Sequence, residues 1–283
     1  MLARLRTLVA VAALAALIAG CGAAVVPQVH NDADRFNLAR RLYDKGDYAV
    51  AIDILNPYVT TGSGQADIDR AVYLLGLAYL QQREWVSAET QFARVMRDYP
   101  ESDSAQSASY RLAEAYFGLA KGPDFDQEFT LKALHQWQDF AQSADGHWLV
   151  PQAQKQILAC RSRLATKLYR TGDLYLKLKD YKPAKRYFQN VIDDYADTAP
   201  YGDALIGMAI AQARLGEKAK ALAALGDLEK QFAGRPLGEL ARQWKLKVGK
   251  WPDAGDLAKR SHKPIEAPVT PLPQQQQQQS YAP

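Results

Sequence analysis

The chain has 283 residues, of which 48% are hydrophobic, enough for one elongated domain or two compact ones. Its formal net charge of +4 is small for this length, which argues against nucleic acid as the main partner. Two cysteines, Cys21 and Cys160, are too few for a disulfide framework.

Residues 1–20 have the pattern of a secretory signal peptide. Two arginines near the start precede an apolar run, Leu8 to Ile18, that is too short to span a bilayer. The run leads into Ile18-Ala19-Gly20-Cys21, which resembles a bacterial lipobox. In such signals the cysteine becomes the first mature residue and carries several acyl chains, which together anchor a protein stably. An ordinary secretory signal with a chance cysteine is the alternative.

The lipobox predicts where the mature protein lies. Lipidation (palmitate or a similar acyl chain) is expected at Cys21, and residues 21–31 are expected to form a short tether. Gly22 stands where an aspartate would signal retention in the inner membrane, so sorting to the outer membrane is permitted. We therefore expect a protein anchored to the periplasmic face of the outer membrane.

Small residues recur at intervals of 37 residues in the predicted helices. Two antiparallel helices can approach closely only where side chains are small, and a large residue three or four positions later fills the remaining gap. This pattern is typical of the tetratricopeptide repeat, which cannot bury its apolar face alone and must stack on neighbours. The small residues are Ala39, Gly76 and Ala113 on first helices, Ala51 and Ala88 on second helices, and later Gly172 and Ala209.

The sequence predicts an all-α tetratricopeptide-repeat superhelix over residues 32–249. A C-terminal capping helix is expected from Leu237 to Val248. Residues 250–283 are rich in proline and glutamine and poor in large apolar groups, so we expect a disordered tail. The five predicted helix pairs cover about 32–66, 69–101, 105–143, 161–197 and 202–234.

The third helix pair is expected to differ from the others. Its turn is lengthened, and a long helix from Val150 to Leu178 is predicted before the fourth pair, with Cys160 on the packed face as a small buried hydrophobe. Asp124, Asp126 and Glu128 in the turn suggest either a calcium loop or an acidic helix start. The second is favoured, since the glycine and terminal glutamate of a calcium loop are missing.

We find no constellation of residues that would carry catalysis. The four histidines are isolated from metal-spaced partners, and neither a phosphate-binding glycine loop nor a G-x-S-x-G elbow occurs. The sequence therefore predicts a non-enzymatic protein without cofactor or metal, whose function lies in its surfaces.

The first helices of a helical-repeat solenoid line its concave face, so two rows of residues on them are candidate peptide contacts. One row stands three positions before the small residue and the other four positions after it; we call them the N-terminal row and the C-terminal row. Their aromatic and apolar groups suit an extended or amphipathic peptide. Either row could instead be core between repeats, because an error of one helical position exchanges the two. The N-terminal row is Phe36, Tyr73 and Tyr110; the C-terminal row is Tyr43, Leu80 and Phe117; the nearby polar contacts are Arg40, Arg70 and Glu114.

Three further stretches are more specific than the repeat. They are FDQEFT at 125–130, RSRLATK at 161–167 running on to Gly172 and Tyr175, and YFQNVIDDY at 187–195 followed by Asp197-Thr198. Together with the lipobox they resemble the BamD family, lipoproteins of the outer-membrane β-barrel assembly machinery. The tail and the pair Tyr195-Ala196, where that family usually has Tyr-Pro, depart from its pattern.

The resemblance implies a non-enzymatic periplasmic scaffold of the BAM complex. Its first three repeats would receive unfolded β-barrel precursors through their C-terminal signal. Its last two, within residues 161–230, would dock on the POTRA region of the barrel-forming partner BamA. Another repeat-containing envelope lipoprotein, such as a pilotin or a coordinator of cell division and peptidoglycan synthesis, is the alternative.

Overall fold

The computed structural model describes residues 32–61 and 67–252, and those residues form helices without strands. The signal peptide, Cys21, the tether and the tail beyond Pro252 lie outside the described residues. None of the described helices combines the length and the apolarity needed to cross a bilayer. In chain order the helices are α1 (Asp32–Lys45), α2 (Tyr48–Thr61), α3 (Ile68–Gln81), α4 (Trp85–Asp98), α5 (Ala105–Leu119), α6 (Glu128–Ser143), α7 (Val150–Lys177), α8 (Tyr181–Asp194), α9 (Pro200–Arg214), α10 (Lys218–Gln231) and α11 (Pro236–Gly249).

The chain divides into two compact units, residues 1–167 and 168–283. In the first unit α1 packs on α2, α2 on α3, and so on up to α5 on α6. In the second unit α8, α9, α10 and α11 do the same, and α11 also contacts α9. This succession of antiparallel helix pairs confirms the predicted all-α tetratricopeptide-repeat fold, with α11 as the additional helix after the last pair.

The small residues lie where helices approach each other most closely. A Cβ atom added at Gly76 would lie 2.7 Å from Cε1 of Phe92, which is fully buried on the second helix of the same pair. In the second unit Phe188 packs against both Gly172 and Gly207, where an added Cβ would lie 2.8 Å and 2.6 Å from its ring. Each aromatic ring thus fills the space that an absent side chain leaves.

The turns between paired helices share a residue with positive φ, and within each unit two such residues are 37 positions apart. Residues 46, 83, 179 and 216 all have positive φ, between 60° and 90°. Two of them are Gly46 and Gly216, which adopt this conformation without steric cost. The other two are Arg83 and Lys179, where a left-handed backbone costs an L-residue about 1–2 kcal/mol. The fold therefore imposes the turn even where the sequence does not favour it.

The lengthened turn of the third pair is held against α7. The Arg163 guanidinium donates to the backbone carbonyls of Ala120 and Lys121 at 3.4 and 3.3 Å. The Lys167 ammonium donates to the carbonyl of Phe125 at 2.5 Å, and the Gln127 amide donates to the same carbonyl at 3.0 Å. Two of the stretches that resemble the BamD family therefore meet in space.

The acidic start of α6 acts as a helix cap, as the sequence favoured. The Asp126 carboxylate accepts a hydrogen bond of 2.8 Å from the backbone N–H of Glu128, the first residue of α6. Such a bond satisfies one of the amides that have no partner within the helix. Cys160 is fully buried on α7, and burial raises the pKa of its thiol to about 12. It is the unreactive apolar residue that the sequence predicts.

The capping helix closes the second unit. Ala241 and Val248 of α11 are fully buried against the apolar side chains of α9 and α10. Beyond the helix, the ring of Trp251 lies 3.8 Å from the Arg214 guanidinium carbon, and its backbone carbonyl accepts a hydrogen bond from Lys218 at 2.5 Å. The end of the repeat array is therefore tied to the last helix pair up to Trp251.

Candidate functional site

The first unit carries an open groove of about 540 Å³ built mainly by the first helices of its three pairs. α1, α3 and α5 each contribute to the lining, and the rest comes from the turn between α3 and α4, the start of α4, α6 and α7. The groove, which we call the first groove, is lined by Tyr43, Leu77, Leu80, Gln81, Arg83, Trp85, Arg111, Glu114, Phe117, Gly118, Trp137 and Gln156.

Equivalent positions of successive repeats form the lining. Positions 77 and 114, positions 80 and 117, and positions 81 and 118 are each separated by the repeat period of 37 residues. Within one helix these positions are spaced by three and four residues, so they share one helical face. The repeat thus presents the same stripe of each first helix to the groove, while the residue types along the stripe differ.

Aromatic side chains form the walls. Trp85, at the start of α4, lies against Gly118 of α5, where an added Cβ would be only 2.4 Å from the indole ring. The ring centroid of Phe117 lies 5.6 Å from that of Trp137. On its other side Phe117 contacts the guanidinium of Arg163, 4.2 Å from the ring centroid. The same arginine that holds the third turn therefore also positions Phe117 at the groove.

A half-buried ion pair forms the polar part of the lining. The guanidinium of Arg111 donates to the Glu114 carboxylate at 2.6 Å, with side-chain exposures of 28% and 22%. Burial alone would lower the pKa of Arg111, but the adjacent Glu114 carboxylate outweighs it and raises that pKa. Arg111 therefore remains charged, and its ion pair with Glu114 leaves little net charge in this part of the groove.

The polar groups around the groove are not all paired within the described part of the chain. Nε of Arg111 and Nε1 of Trp137 are buried and make no hydrogen bond to the part of the chain that the structure describes. Burial raises the pKa of Tyr43 even though a hydrogen bond with Gln81 opposes the shift, so its hydroxyl stays neutral. A buried donor without an acceptor is costly. An extended peptide brings carbonyl and carboxylate oxygens that could satisfy such groups.

The C-terminal row lines the first groove. Tyr43, Leu80 and Phe117 all line the first groove, together with Glu114. The structure brings these four candidate residues together from three different repeats.

The N-terminal row is largely core. The prediction that it lines an open groove is wrong at Phe36 and Tyr110, which are buried. Phe36 is 8% exposed and Tyr110 is fully buried. Tyr110 packs on Trp137 and Phe140 of α6, with centroids 6.1 and 5.6 Å apart, and Tyr73 packs on Phe92 of α4. The second helix of each of these pairs therefore covers the row at positions 73 and 110.

Two of the predicted polar contacts lie outside the groove. Arg40 and Arg70 are exposed and do not line it, and Arg70 forms an ion pair with Asp67 at 3.3 Å. The sequence analysis missed Arg111 and both tryptophans, Trp85 and Trp137. Arg111 could have been found because it precedes Glu114 and Phe117 by three and six residues on one helical face. The tryptophans come from neighbouring helices, and no local signal places them here.

A curated relative has a sequence similar to most of the chain. The outer membrane protein assembly factor BamD of Caulobacter vibrioides is 27% identical over 220 residues, which cover 75% of this chain and 72% of that protein. This similarity agrees with the stretches that resemble the BamD family.

Solved structures of helical-repeat proteins also align with the chain. The TPR2AB domain of yeast Sti1 in complex with pHSP90 is 21% identical and covers 78% of this chain and 86% of that one, with a TM-score of 0.33. A tetratricopeptide repeat protein from Parabacteroides merdae is 16% identical, covers 77% of this chain and 72% of that one, and has a TM-score of 0.31.

The family model described as YfiO, outer membrane lipoprotein, matches residues 32–225. The match spans more than two thirds of the chain and runs from α1 into α10, through both units. Its description agrees with the location that the lipobox predicts, a lipid-anchored protein of the outer membrane. The chain therefore belongs to the YfiO family of outer membrane lipoproteins, the family that its resemblance to BamD predicted.

Proposed function

We propose that this lipoprotein is a periplasmic scaffold for the assembly of outer-membrane β-barrel proteins, and that its first groove binds the C-terminal segment of an unfolded barrel precursor. The observation that carries the proposal is the first groove itself, in which three repeats place Tyr43, Leu80 and Phe117 beside buried donor groups. The similarity to an outer membrane protein assembly factor supports the same role. The role is one of binding, and it needs no catalytic group.

The chemistry of a barrel strand suits this groove. Strands of outer-membrane barrels alternate apolar and polar residues, and aromatic residues lie at their ends. An unfolded segment therefore offers large apolar groups at every second position, with unpaired backbone carbonyls between them. The aromatic walls at Trp85 and Phe117 supply contacts for the apolar side chains. The polar side chains of Tyr43, Gln81 and Arg111 in the lining supply hydrogen-bond donors for the backbone carbonyls.

Peptide titration tests the client part of the proposal. A labelled peptide with the sequence of a barrel protein's last strand should bind the purified protein, and Leu80→Ala with Phe117→Ala should weaken binding at least tenfold. Arg40→Ala, at an exposed residue outside the groove, is the matched control and should leave the affinity unchanged. Equal affinity of the double variant and the wild type would exclude the first groove as the binding site.

We further propose that the second unit docks on the POTRA region of a BamA-like partner. Leu174 in the last turn of α7 and Leu178 just after it are 53% and 65% exposed. They are four residues apart, and the backbone N–H of Leu178 bonds to the carbonyl of Leu174 at 2.9 Å, so both lie on one helical face. Exposed apolar pairs of this kind are typical of interaction surfaces.

A detergent pull-down tests the docking proposal. The wild-type protein should recover a BamA-like barrel protein, and Leu174→Asp with Leu178→Asp should lose it. Leu246→Asp on α11 is a suitable control, because Leu246 is 61% exposed and lies outside residues 161–230. Recovery of a secretin or a peptidoglycan synthase without a BamA-like protein would contradict the proposal.

We also propose that Cys21 carries the lipid anchor. The ten residues from Cys21 to the start of α1 can span at most about 35 Å when extended, so the repeats would work close to the membrane surface. Cys21→Ser should release the protein from the membrane fraction. A variant that stays with the outer membrane would contradict anchoring at this residue.

A further inference from the structure

The second unit carries a separate, mostly apolar groove of about 360 Å³ between the start of α9 and the turn from α10 to α11. Tyr201 of α9 and Phe232 after α10 supply two aromatic rings, and Leu237 and Leu240 of α11 supply aliphatic groups. Leu237 packs closely on Gly202 because glycine has no side chain. A Cβ atom added at Gly202 would lie 3.0 Å from a methyl carbon of Leu237. This second groove is lined by Ala199, Tyr201, Gly202, Asp203, Phe232, Pro236, Leu237 and Leu240.

A groove with aromatic walls is suited to proline-rich chain segments. Proline fixes its backbone near the polyproline II conformation, so such a segment loses little conformational entropy when it binds. The prolines and aliphatic side chains then pack on aromatic and leucine surfaces. The residues of this chain that have that composition are PIEAPVTPL at 264–272.

An acidic residue at the groove and a short basic stretch of the tail carry opposite charges. Asp203 is exposed at the groove lining. Burial first, and then the carboxylates of Asp203 and Asp173, raise the pKa of Tyr169, so both carboxylates lie within electrostatic range of its hydroxyl. The residues just before the proline-rich segment are basic, KRSHK at 259–263. A basic stretch entering beside Asp203 would place the prolines at the apolar lining.

The point where the chain leaves the second unit is fixed within reach of the groove. Trp251 is held by Arg214 and Lys218, and Leu240 precedes it by eleven residues, most of them helical, or about 17 Å of helix. The chain from Pro252 to Pro264 can span up to about 40 Å. Residues 264–272 can therefore turn back along α11 to the second groove without straining the chain.

We propose that residues 264–272 of the chain's own C-terminal segment bind in the second groove, with the basic residues 259–263 directed toward Asp203. The prolines and Leu272 would pack between Tyr201, Phe232 and Leu240. The contact would cover an apolar surface of the second unit until a partner displaces the segment. It does not depend on the function proposed for the first groove.

Paramagnetic relaxation in the full mature chain tests the proposal. A nitroxide is attached to the new cysteine of a Val269→Cys variant in which Cys21→Ser removes a second reactive thiol. The remaining cysteine, Cys160, is buried and has a raised pKa, so it does not react and only position 269 is labelled. We expect the methyl signals of Leu237 and Leu240 to lose more than half of their intensity relative to the reduced label. The loss should also appear at low protein concentration, because the contact is within one molecule.

Two variants provide controls. Pro264→Gly combined with Pro268→Gly and Pro271→Gly removes the polyproline preference without changing the folded repeats, and it should restore the methyl intensities. Asp203→Lys, at an exposed position, should restore them in part. Full intensity in the unaltered tail, loss that persists with the glycines, or loss seen only between labelled and unlabelled molecules would each overturn the proposal.

Discussion

Replacing Gly118 with alanine is expected to alter the first groove while leaving the fold in place. Gly118 is the last residue but one of α5, and a Cβ there would lie 2.4, 2.6 and 2.8 Å from three carbons of the Trp85 ring. Carbon atoms normally rest about 3.5–4.0 Å apart. The indole must therefore move by about 1 Å, and it forms a wall of the groove.

The cost of this movement falls mainly on binding. Overpacking costs about 1–3 kcal/mol, whereas alanine is favoured over glycine in a helix by up to about 1 kcal/mol. The free energy of unfolding should thus fall by no more than about 2 kcal/mol, which a domain of ordinary stability tolerates. A displaced aromatic contact costs about 1.4 kcal/mol or more in binding, so the affinity for a barrel-strand peptide should drop about tenfold.

Fluorescence polarisation of the labelled peptide measures the affinity, and thermal unfolding monitored by circular dichroism measures the stability. Gly122→Ala is the matched control, because no atom lies within 4 Å of an added Cβ at that position. It should change neither quantity appreciably. If Gly118→Ala binds the peptide within twofold of the wild-type affinity, the wall at Trp85 takes no part in binding and the reasoning is wrong.

Three further predictions concern the fold. Lys179→Gly should raise the free energy of unfolding by about 0.5–1 kcal/mol because the left-handed turn residue is relieved, and Gly216→Ala should lower it by about 1 kcal/mol; chemical denaturation measures both. Phe188→Ala should lower it by about 3–5 kcal/mol, and a loss below 1 kcal/mol would contradict the close packing described here. Lys185 bonds to Glu217 at 2.6 Å and lowers the pKa of that carboxyl, so this stabilisation is present above the ordinary glutamate pKa and is lost as pH falls through the lowered one. Lys185→Met should accordingly be less stable than the wild type at pH 7 and approach it in acid; a gap independent of pH would refute the ion-pair effect.

The helix pairs could be predicted from the sequence because their spacing reflects a local requirement. Small residues at the 37-residue period mark where two helices touch, and Gly76 and Gly172 lie against rings in both units. The left-handed turns at Arg83 and Lys179 lack glycine, so the local residues give no sign of them. Only their place in the period indicates that the same turn recurs.

Which row forms the groove could not be predicted. Tyr110 and Phe117 are seven residues apart, almost two full helical turns, so they lie on nearly the same face of α5. They differ in what covers that face. α6 runs antiparallel to α5 and places Phe140 over Tyr110, whereas Phe117 borders the groove. The distinction depends on how the two helices cross, and no single helix encodes it.

The role of the third turn also depends on distant residues. Arg163 and Lys167 follow that turn by about 42 residues and still bond to its carbonyls. The sequence indicated these stretches only through their resemblance to a family. The structure shows that they hold the loop and place Arg163 on Phe117, which links them to the first groove.

Photocrosslinking in living cells tests the central claim most directly. A photoreactive phenylalanine analogue at position 117, inside the first groove, should give adducts with precursors of outer-membrane barrel proteins. The same group at Trp148, a 71% exposed residue of the first unit that does not line the groove, should not. Adducts at position 117 that are absent, or no stronger than those at position 148, would contradict the assignment of this groove as the site that receives the precursors.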